Sequence, residues 1–275
     1  MGNVQRMMEI QVKFLIQHNL MNEQQLTLVK QAVKNYPHEF VGVIPFTREI
    51  TSDNPIEGID YIPYGSTLFT TLAFQRGWRG LHFDPDVMTY TNAMKHRRDM
   101  LNGENVFTAE DACSFLTNSD EYYFMRPDAD LKHFSGYVDH ASELLEHLKS
   151  MIDSYKRGEQ GSYGLNPETK IILATPKTIQ AEWRWFIVGG KIISGSLYRA
   201  HGQLRKLREV DPDVIMEAQA IADEWLPYDC VVMDTALVNN RVKVIEFNCI
   251  NSSGFYENDV SAVFKALWEY HESKT

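Results

Sequence analysis

The stretch CVVMDTALVNNRVKVIEFN, from Cys230 to Asn248, leaves its backbone little choice. Two runs rich in Val, Ile, Thr and Phe flank Asn239-Asn240, and asparagine is one of the few residues besides glycine that tolerates the left-handed conformation a two-residue hairpin turn requires. A β-hairpin follows. Side chains alternate along a strand, so Glu246 and Asn248 share one face, and Asp234 on the partner strand reaches that face from across the pair. Two carboxylates and one amide oxygen form a hard, all-oxygen donor set, suited to magnesium held together with phosphate oxygens. A polar edge hairpin would show the same pattern, so the surrounding chain has to decide.

That chain alternates strands and helices. Glu9 to Gln17 reads as a strand, Glu23 to Asn35 as a helix capped by Asn22, and Phe40 to Phe46 as a second strand. A turn at Gly65-Ser66, a helix over Thr67 to Arg76 and a short strand near Leu81 complete a small α/β unit that closes about Pro85. Helices are predicted over Ala93 to Leu101, Ala109 to Leu116 and Ser142 to Tyr155, with the strand YYFMRP before the last of these. Three strand-like stretches follow, KIILAT, AEWRWFIVGG and KIISGSLYR, the last two joined by a hairpin turn at Gly189-Gly190. A helix over Pro212 to Trp225, the Asn239-Asn240 hairpin and a helix over Asp259 to Tyr270 finish the chain. The fold class expected is α+β.

Several cations fall at strand ends or on alternating strand positions. Arg126 closes one strand, Lys132 follows in a turn, Arg184 alternates with Glu182, and Arg199 ends the next strand. Any one of them is explained by a surface ion pair. Four cations with three oxygen donors point to a polyphosphate bound between them, where positioning and charge neutralisation supply most of the catalysis. Trp183 and Trp185 alternate with Glu182 and Arg184 and are assigned to core packing. Lys95, His133 and His201 are weaker candidates, each matched by a solvated surface role. Tyr64-Gly65-Ser66 either forms a plain turn or presents a hydroxyl and N–H groups to a substrate.

Composition narrows the class. With 44% apolar and 12% aromatic residues among 275, the chain can bury a sizeable core, which excludes disorder. A net charge of -10 argues against a nucleic acid partner bound by bulk attraction. Three scattered cysteines write neither a disulfide framework nor a zinc site and fit a reducing compartment. The N-terminal segment lacks a secretory pattern and no apolar run would span a bilayer, so a soluble cytoplasmic protein without a membrane partner is expected. There is no phosphate-cradling Gly-x-x-x-x-Gly-Lys-Ser/Thr loop and no nucleophilic triad order.

The ordered series Arg-Pro-x-x-x-x-Lys-x-Phe-x-Gly, Glu-x-Arg-x-Phe-x-Val, Tyr-Arg, Asp, Glu-x-Asn and Ser-Ser-Gly-Phe-Tyr resembles the ATP-grasp superfamily. Within it, the chain is similar to the clade named for two arginines and a lysine, with many members in bacteria and their phages. The resemblance implies an ATP-grasp fold in which two α+β subdomains clamp ATP, behind a small α/β pre-ATP-grasp domain. Its expected division is residues 1–90 for the N-terminal domain and 91–275 for the ATP-grasp domain, with a lid subdomain over about 105–200 and a metal-binding subdomain over about 200–275.

By the same resemblance, main-chain groups of Leu173 and Ala174 would meet adenine and Glu182 the ribose hydroxyls. Arg126 and Lys132 would contact phosphates, and Arg184 and Arg199 would neutralise charge at the transferred group. Asp234, Glu246 and Asn248 would ligate Mg2+, and the loop carrying Ser252, Ser253 and Gly254 would bind the acceptor. The implied activity is ATP-dependent carboxylate–amine ligation through an acylphosphate, on a small-molecule, amino-acid or peptide-terminus substrate. A kinase on the same fold, or an inactive ATP-binding protein, are the alternatives. The single glycine between Arg126 and Gly136 departs from the glycine-rich lid loops of many members.

Overall fold

The computed structural model describes residues 12–44, 47, 49–56, 60–78, 84, 86–103, 105–129, 134–159 and 164–274. The expected strand near Leu81, together with Lys132 and His133, lies outside them. An N-terminal sheet contains β1 (Lys13–Gln17), β2 (His38–Ile44), β3 (Glu49–Thr51) and β4 (Tyr61–Tyr64), with helix α1 (Glu23–Val33) between β1 and β2 and α2 (Thr67–Gln75) after β4. Its strand order is β3-β2-β1-β4, with β1 parallel to both β2 and β4. The chain thus moves outward from β1 on one side and returns on the other.

A short helix, α3 (Tyr90–His96), leads into a second unit of β5 (Asn105–Thr108), α4 (Ala109–Thr117), β6 (Tyr122–Pro127), β7 (Tyr137–His140), α5 (Ala141–Lys156) and β8 (Lys170–Ala174). The four strands form an antiparallel sheet in the order β5-β8-β6-β7, packed on α4 and α5 through Met125, Leu144, Leu148 and Ile171. The third unit holds β9 (Ala181–Val188), β10 (Lys191–Ala200), β11 (Gln203–Leu207), α6 (Pro212–Glu224), β12 (Val231–Val238), β13 (Arg241–Asn248), a 3-10 turn (Ile250–Ser252) and α7 (Val260–Glu272). Its strand order is β11-β10-β9-β12-β13. β9 and β10, which the sequence groups with the lid, hydrogen-bond to each other and onward to β12, not to β8.

Both anticipated hairpin turns are present. Gly189 and Gly190 have φ of 59° and 77°, and Asn239 and Asn240 of 52° and 58°, the paired left-handed conformations of the tight turn that matches strand twist. Each of the seven described helices begins on a side-chain cap: Asn22, Ser66, Thr89, Thr108, His140, Asp211 and Asp259 each accept a first-turn N–H. The helix predicted over Ala93 to Leu101 stops at His96. Arg97 turns extended and drives its guanidinium into the C-terminal end of α6, donating to the carbonyls of Ile221 (2.6 Å) and Trp225 (2.7 Å) and bidentately to Asp99. The next residues then pair with β13, Leu101 N–H to Val244 O at 2.7 Å and Val244 N–H to Asp99 O at 2.9 Å.

The central sheet is covered on both faces. Trp183, Trp185 and Ile187 pack with Met233 and α6, and the Trp185 indole donates to Thr235 Oγ1 at 2.8 Å. The opposite face is divided lengthwise: Phe186 and Val188 pack on Phe264 of α7 and on Phe14 and Tyr64 of the N-terminal unit, whereas Glu182 and Arg184 lie beyond that apolar cover.

Candidate active site

Three strands align their charges. In register, Arg184 of β9 stands opposite Asp234 of β12, which stands opposite Glu246 of β13. Asp234 is 2% exposed and receives Arg184 bidentately, Nε to Oδ1 at 2.8 Å and Nη2 to Oδ2 at 2.6 Å. A register shift after Asp234 leaves Ile245 as an extra residue in β13, and such bulges re-aim the side chains beside them. Asn248, one pleat on, directs Nδ2 to Glu246 Oε1 (3.1 Å) and Asp234 Oδ2 (3.4 Å).

The fourth charge comes from the other sheet. Arg126, near the end of β6, donates Nη1 to Glu246 Oε2 at 2.7 Å and lies over the Tyr90 ring at 4.7 Å. Arg126, Pro127, Ala129, Phe134, Ser135, Gly136 and Glu246 line a cleft of about 430 Å³ between the two sheets, within the size range of small-ligand sites. The segment 175–180 joins β8 to β9 and so connects the sheets.

The electrostatics follow burial and pairing. Burial pushes Asp234 above the usual carboxylate range, and Glu246 and Glu182 add to that push against the pull of Arg184. Burial opposes ionisation of Glu246 too, but Arg126 and the Asn248 amide outweigh it and hold this carboxyl below its ordinary value. Burial opposes the charge on Arg184, yet Asp234 keeps the guanidinium firmly protonated. Burial raises the Tyr90 phenol to about 12, so it stays neutral under Arg126.

Glu182 is 7% exposed; it accepts from Tyr198 Oη at 2.9 Å and pairs with Arg199 at 3.6 Å. Arg199 therefore sits at Glu182, away from the Asp234 pair. Tyr198 stacks on Tyr256 at 4.8 Å, and Tyr256, itself at a φ of 50°, also carries the Arg184 guanidinium (5.0 Å) and Lys206 Nζ (5.9 Å) over its ring. A non-glycine residue in that conformation marks a site where surrounding structure enforces strain. Lys206 and the part played by Tyr198 are not legible in the sequence, because neither stands in an alternating pattern with the acidic residues.

Of the nucleotide contacts expected on β8, Leu173 has strand neighbours on both sides, while Ala174 pairs only with Phe124 and borders the connecting segment. The Ser253 hydroxyl is turned inward to Cys249 O at 2.8 Å, and the Gly254 carbonyl accepts from Arg184 at 3.2 Å. Ser252 lies in the 3-10 turn. His201 occupies the β10–β11 turn at a φ of 50° and is exposed.

The donor set suits a hard divalent cation. The Asp234 and Glu246 carboxylates gather three positively polarised groups in this structure: two guanidinium groups and the amide N–H of Asn248. Rotating that amide by half a turn presents its oxygen instead. Among the described residues no group of three or more His, Cys, Asp and Glu gathers as a metal site.

The chain resembles known proteins in sequence and fold. A family model for the ATP-grasp domain, family 3 of the clade named for two arginines and a lysine, matches residues 41–267. A search of curated proteins finds no match. Similar solved structures include the D-cycloserine synthetase DcsG (TM-score 0.58, 11% identity, covering 94% of this chain and 99% of that one). The ATP-grasp ligase PsnB complexed with a minimal precursor matches at TM-score 0.57 and 11% identity, over 94% of this chain and 99% of that one. The D-alanine–D-alanine ligase of Bacillus anthracis matches at TM-score 0.56 and 11% identity, over 96% and 100%. At these identities the structures speak to fold, and the family match carries the assignment: the chain belongs to the ATP-grasp domain proteins, in family 3 of the two-arginine, one-lysine clade.

Proposed function

We propose that the protein is an ATP- and Mg2+-dependent ligase that joins a carboxylate to an amine, with release of ADP and phosphate. The observation that carries this reading is the row Arg184–Asp234–Glu246–Arg126, in which Asp234 is matched by an arginine on the neighbouring strand and Glu246 by one across a cleft of ligand size. Asp234, Glu246 and Asn248 would hold the metal, whose bound charge would balance phosphate oxygens. The two guanidinium groups, displaced from their carboxylates, would then serve the phosphates, which favour the same bidentate geometry. Glu182, fixed by Tyr198 and Arg199, would accept from the ribose hydroxyls, and Ala174 with the segment after it would border adenine.

In this reading the γ-phosphoryl group passes to a substrate carboxylate and the amine attacks the resulting acylphosphate. No side chain of the chain becomes covalently linked. The test is to follow ADP release with paired carboxylate and amine substrates. Release that requires both, gives an amide and disappears in Glu246→Ala is expected; a stable phosphorylated product from one substrate would make the protein a kinase instead. Turnover unchanged in Glu246→Ala would remove the metal assignment.

A further inference from the structure

The end of β6 is tied to a different part of the fold. Pairing of β6 with β8 runs as far as Pro127, opposite Ile171, and Asp128 adds one more bond, its N–H to Lys170 O at 2.9 Å. Arg126, Pro127 and Ala129 line the cleft, whereas Asp128 between them does not. Asp128 is 4% exposed, and its carboxylate is committed to α3: Oδ1 accepts the Thr91 N–H and Oδ2 the Thr91 hydroxyl, both at 2.7 Å. The Asp128 carbonyl takes the Tyr90 N–H at 3.2 Å.

One residue thus serves the first two N–H groups of α3, which a helix cannot pair internally, while the Thr89 side chain serves the third, that of Asn92. α3 belongs with the central sheet, since Tyr90 and Ala93 are buried together with Trp183, Trp185 and Met233. A buried carboxylate hydrogen-bonded in this way is a fixed point, because displacing it would leave its charge unsatisfied away from water.

That fixed point lies one peptide from the cleft. The Asp128 N–H is held by Lys170 and its side chain by Thr91, so the planar peptide between Pro127 and Asp128 is gripped from two sides, and the locked φ of proline removes a further freedom. The same peptide carries Pro127 O, which accepts Arg126 Nε at 3.1 Å. The far end of that guanidinium donates to Glu246 Oε2 at 2.7 Å, and its face lies on the Tyr90 ring at 4.7 Å. Asp128 therefore sets both the carbonyl that aims Arg126 and, through the α3 backbone, the ring on which Arg126 rests.

We infer that Asp128 is a positioning residue, which lies behind the cleft wall and directs the Arg126 guanidinium into the cleft. That Arg126 then serves ATP phosphates rests on the reading above; the aiming of Arg126 does not.

The test uses the full chain and two readouts. The first is labelling of arginines by phenylglyoxal, mapped by peptide mass spectrometry. Arg184 is the internal reference, because the two side chains are covered alike, 13% exposed for Arg126 and 12% for Arg184. Asp128→Ala should speed labelling of Arg126 severalfold and leave Arg184 unchanged. Asp128→Asn should label as the parent protein does, since the Thr91 hydroxyl can accept from an amide as readily as it donates to a carboxylate. The second readout is affinity for a non-hydrolysable ATP analogue with Mg2+. Asp128→Ala should weaken it about tenfold, the scale of one hydrogen bond to a charged group. In an Arg126→Met background the same substitution should add no further loss, because a residue that acts through another has no effect once that other is gone. Thr91→Val removes one hydroxyl donor, should give the same pattern more weakly, and remains readable should Asp128→Ala fail to fold. Unchanged Arg126 labelling, equal speeding at both arginines, or additive losses of affinity would overturn the positioning role. Faster labelling of Arg126 alone in a protein that binds no ATP analogue would overturn the ATP reading and leave the positioning role standing.

Discussion

Arg126 and Glu246 belong to different sheets, and the 2.7 Å bond between them fastens the β5-β8-β6-β7 sheet to the strand that carries the candidate metal ligands Glu246 and Asn248. Glu246 is held ionised chiefly by this arginine against the cost of burial. Replacing Arg126 with methionine keeps bulk and removes the charge. A loss of about 1.5–3 kcal/mol is expected in urea unfolding, the worth of a hydrogen bond to a charged group. Affinity for a non-hydrolysable ATP analogue should fall as well. Unchanged stability with unchanged nucleotide affinity would show that the bond does neither job.

Asp234 and Arg184 form the more buried pair, with side chains 2% and 12% exposed. Asp234→Ala leaves a guanidinium without its counter-charge, and breaking such a pair costs about 3–5 kcal/mol. Adding Arg184→Met should recover much of that loss, because the unpaired charge is gone. A double variant as unstable as the single one would mean that the hydrogen bonds, and not the stranded charge, set the cost. Denaturant midpoints of the three proteins decide it.

Arg97 is a structural counterpart outside the site. Its side chain is wholly buried and caps α6 through Ile221 O and Trp225 O while holding Asp99. Arg97→Lys cannot reproduce the fork. The variant should lose several kcal/mol in denaturant unfolding, since it leaves buried carbonyls and a carboxylate under-satisfied. Retained stability would indicate that water fills the gap without loss.

Cys230 supplies a pH signature. Burial, partly offset by a hydrogen bond from the Gly189 backbone, pushes its thiol up to about 12, so the neutral form persists where an ordinary thiol is already ionised. Its alkylation, mapped by mass spectrometry, should keep rising about tenfold per pH unit above about pH 9, where a free thiol levels off. A plateau near about pH 9 would place Cys230 in a far more solvated setting.

Much of this could be read from the chain. Asn239-Asn240 and Gly189-Gly190 announce their turns because few other residues accept the required φ, and the alternation of Glu182 and Arg184 with Trp183 and Trp185 separates cleft from core. Other features depend on distant partners. β11 is exposed at every position and shows no apolar period. β5 and β7 are four residues each and run directly into helix caps, which hides them. α3 ends early because Arg97 is drawn to α6. The contact of Asp128 with Thr91 joins residues 37 positions apart, so no local pattern encodes it.

The chain enters the four-stranded antiparallel sheet at β5 and leaves it at β8, and these two strands are paired, with Asn105 opposite Leu173. Residues 105–174 therefore form a detour whose two ends lie one strand spacing apart, roughly 5 Å. A segment joined to its host in this way is an inserted module: exchanging it for another of the same end geometry asks nothing of the central sheet's strand order, and domain insertions are tolerated where ends meet so closely. Modules of different length and loop chemistry could in this way be grafted above the unchanged strand-borne charges Arg184, Asp234 and Glu246.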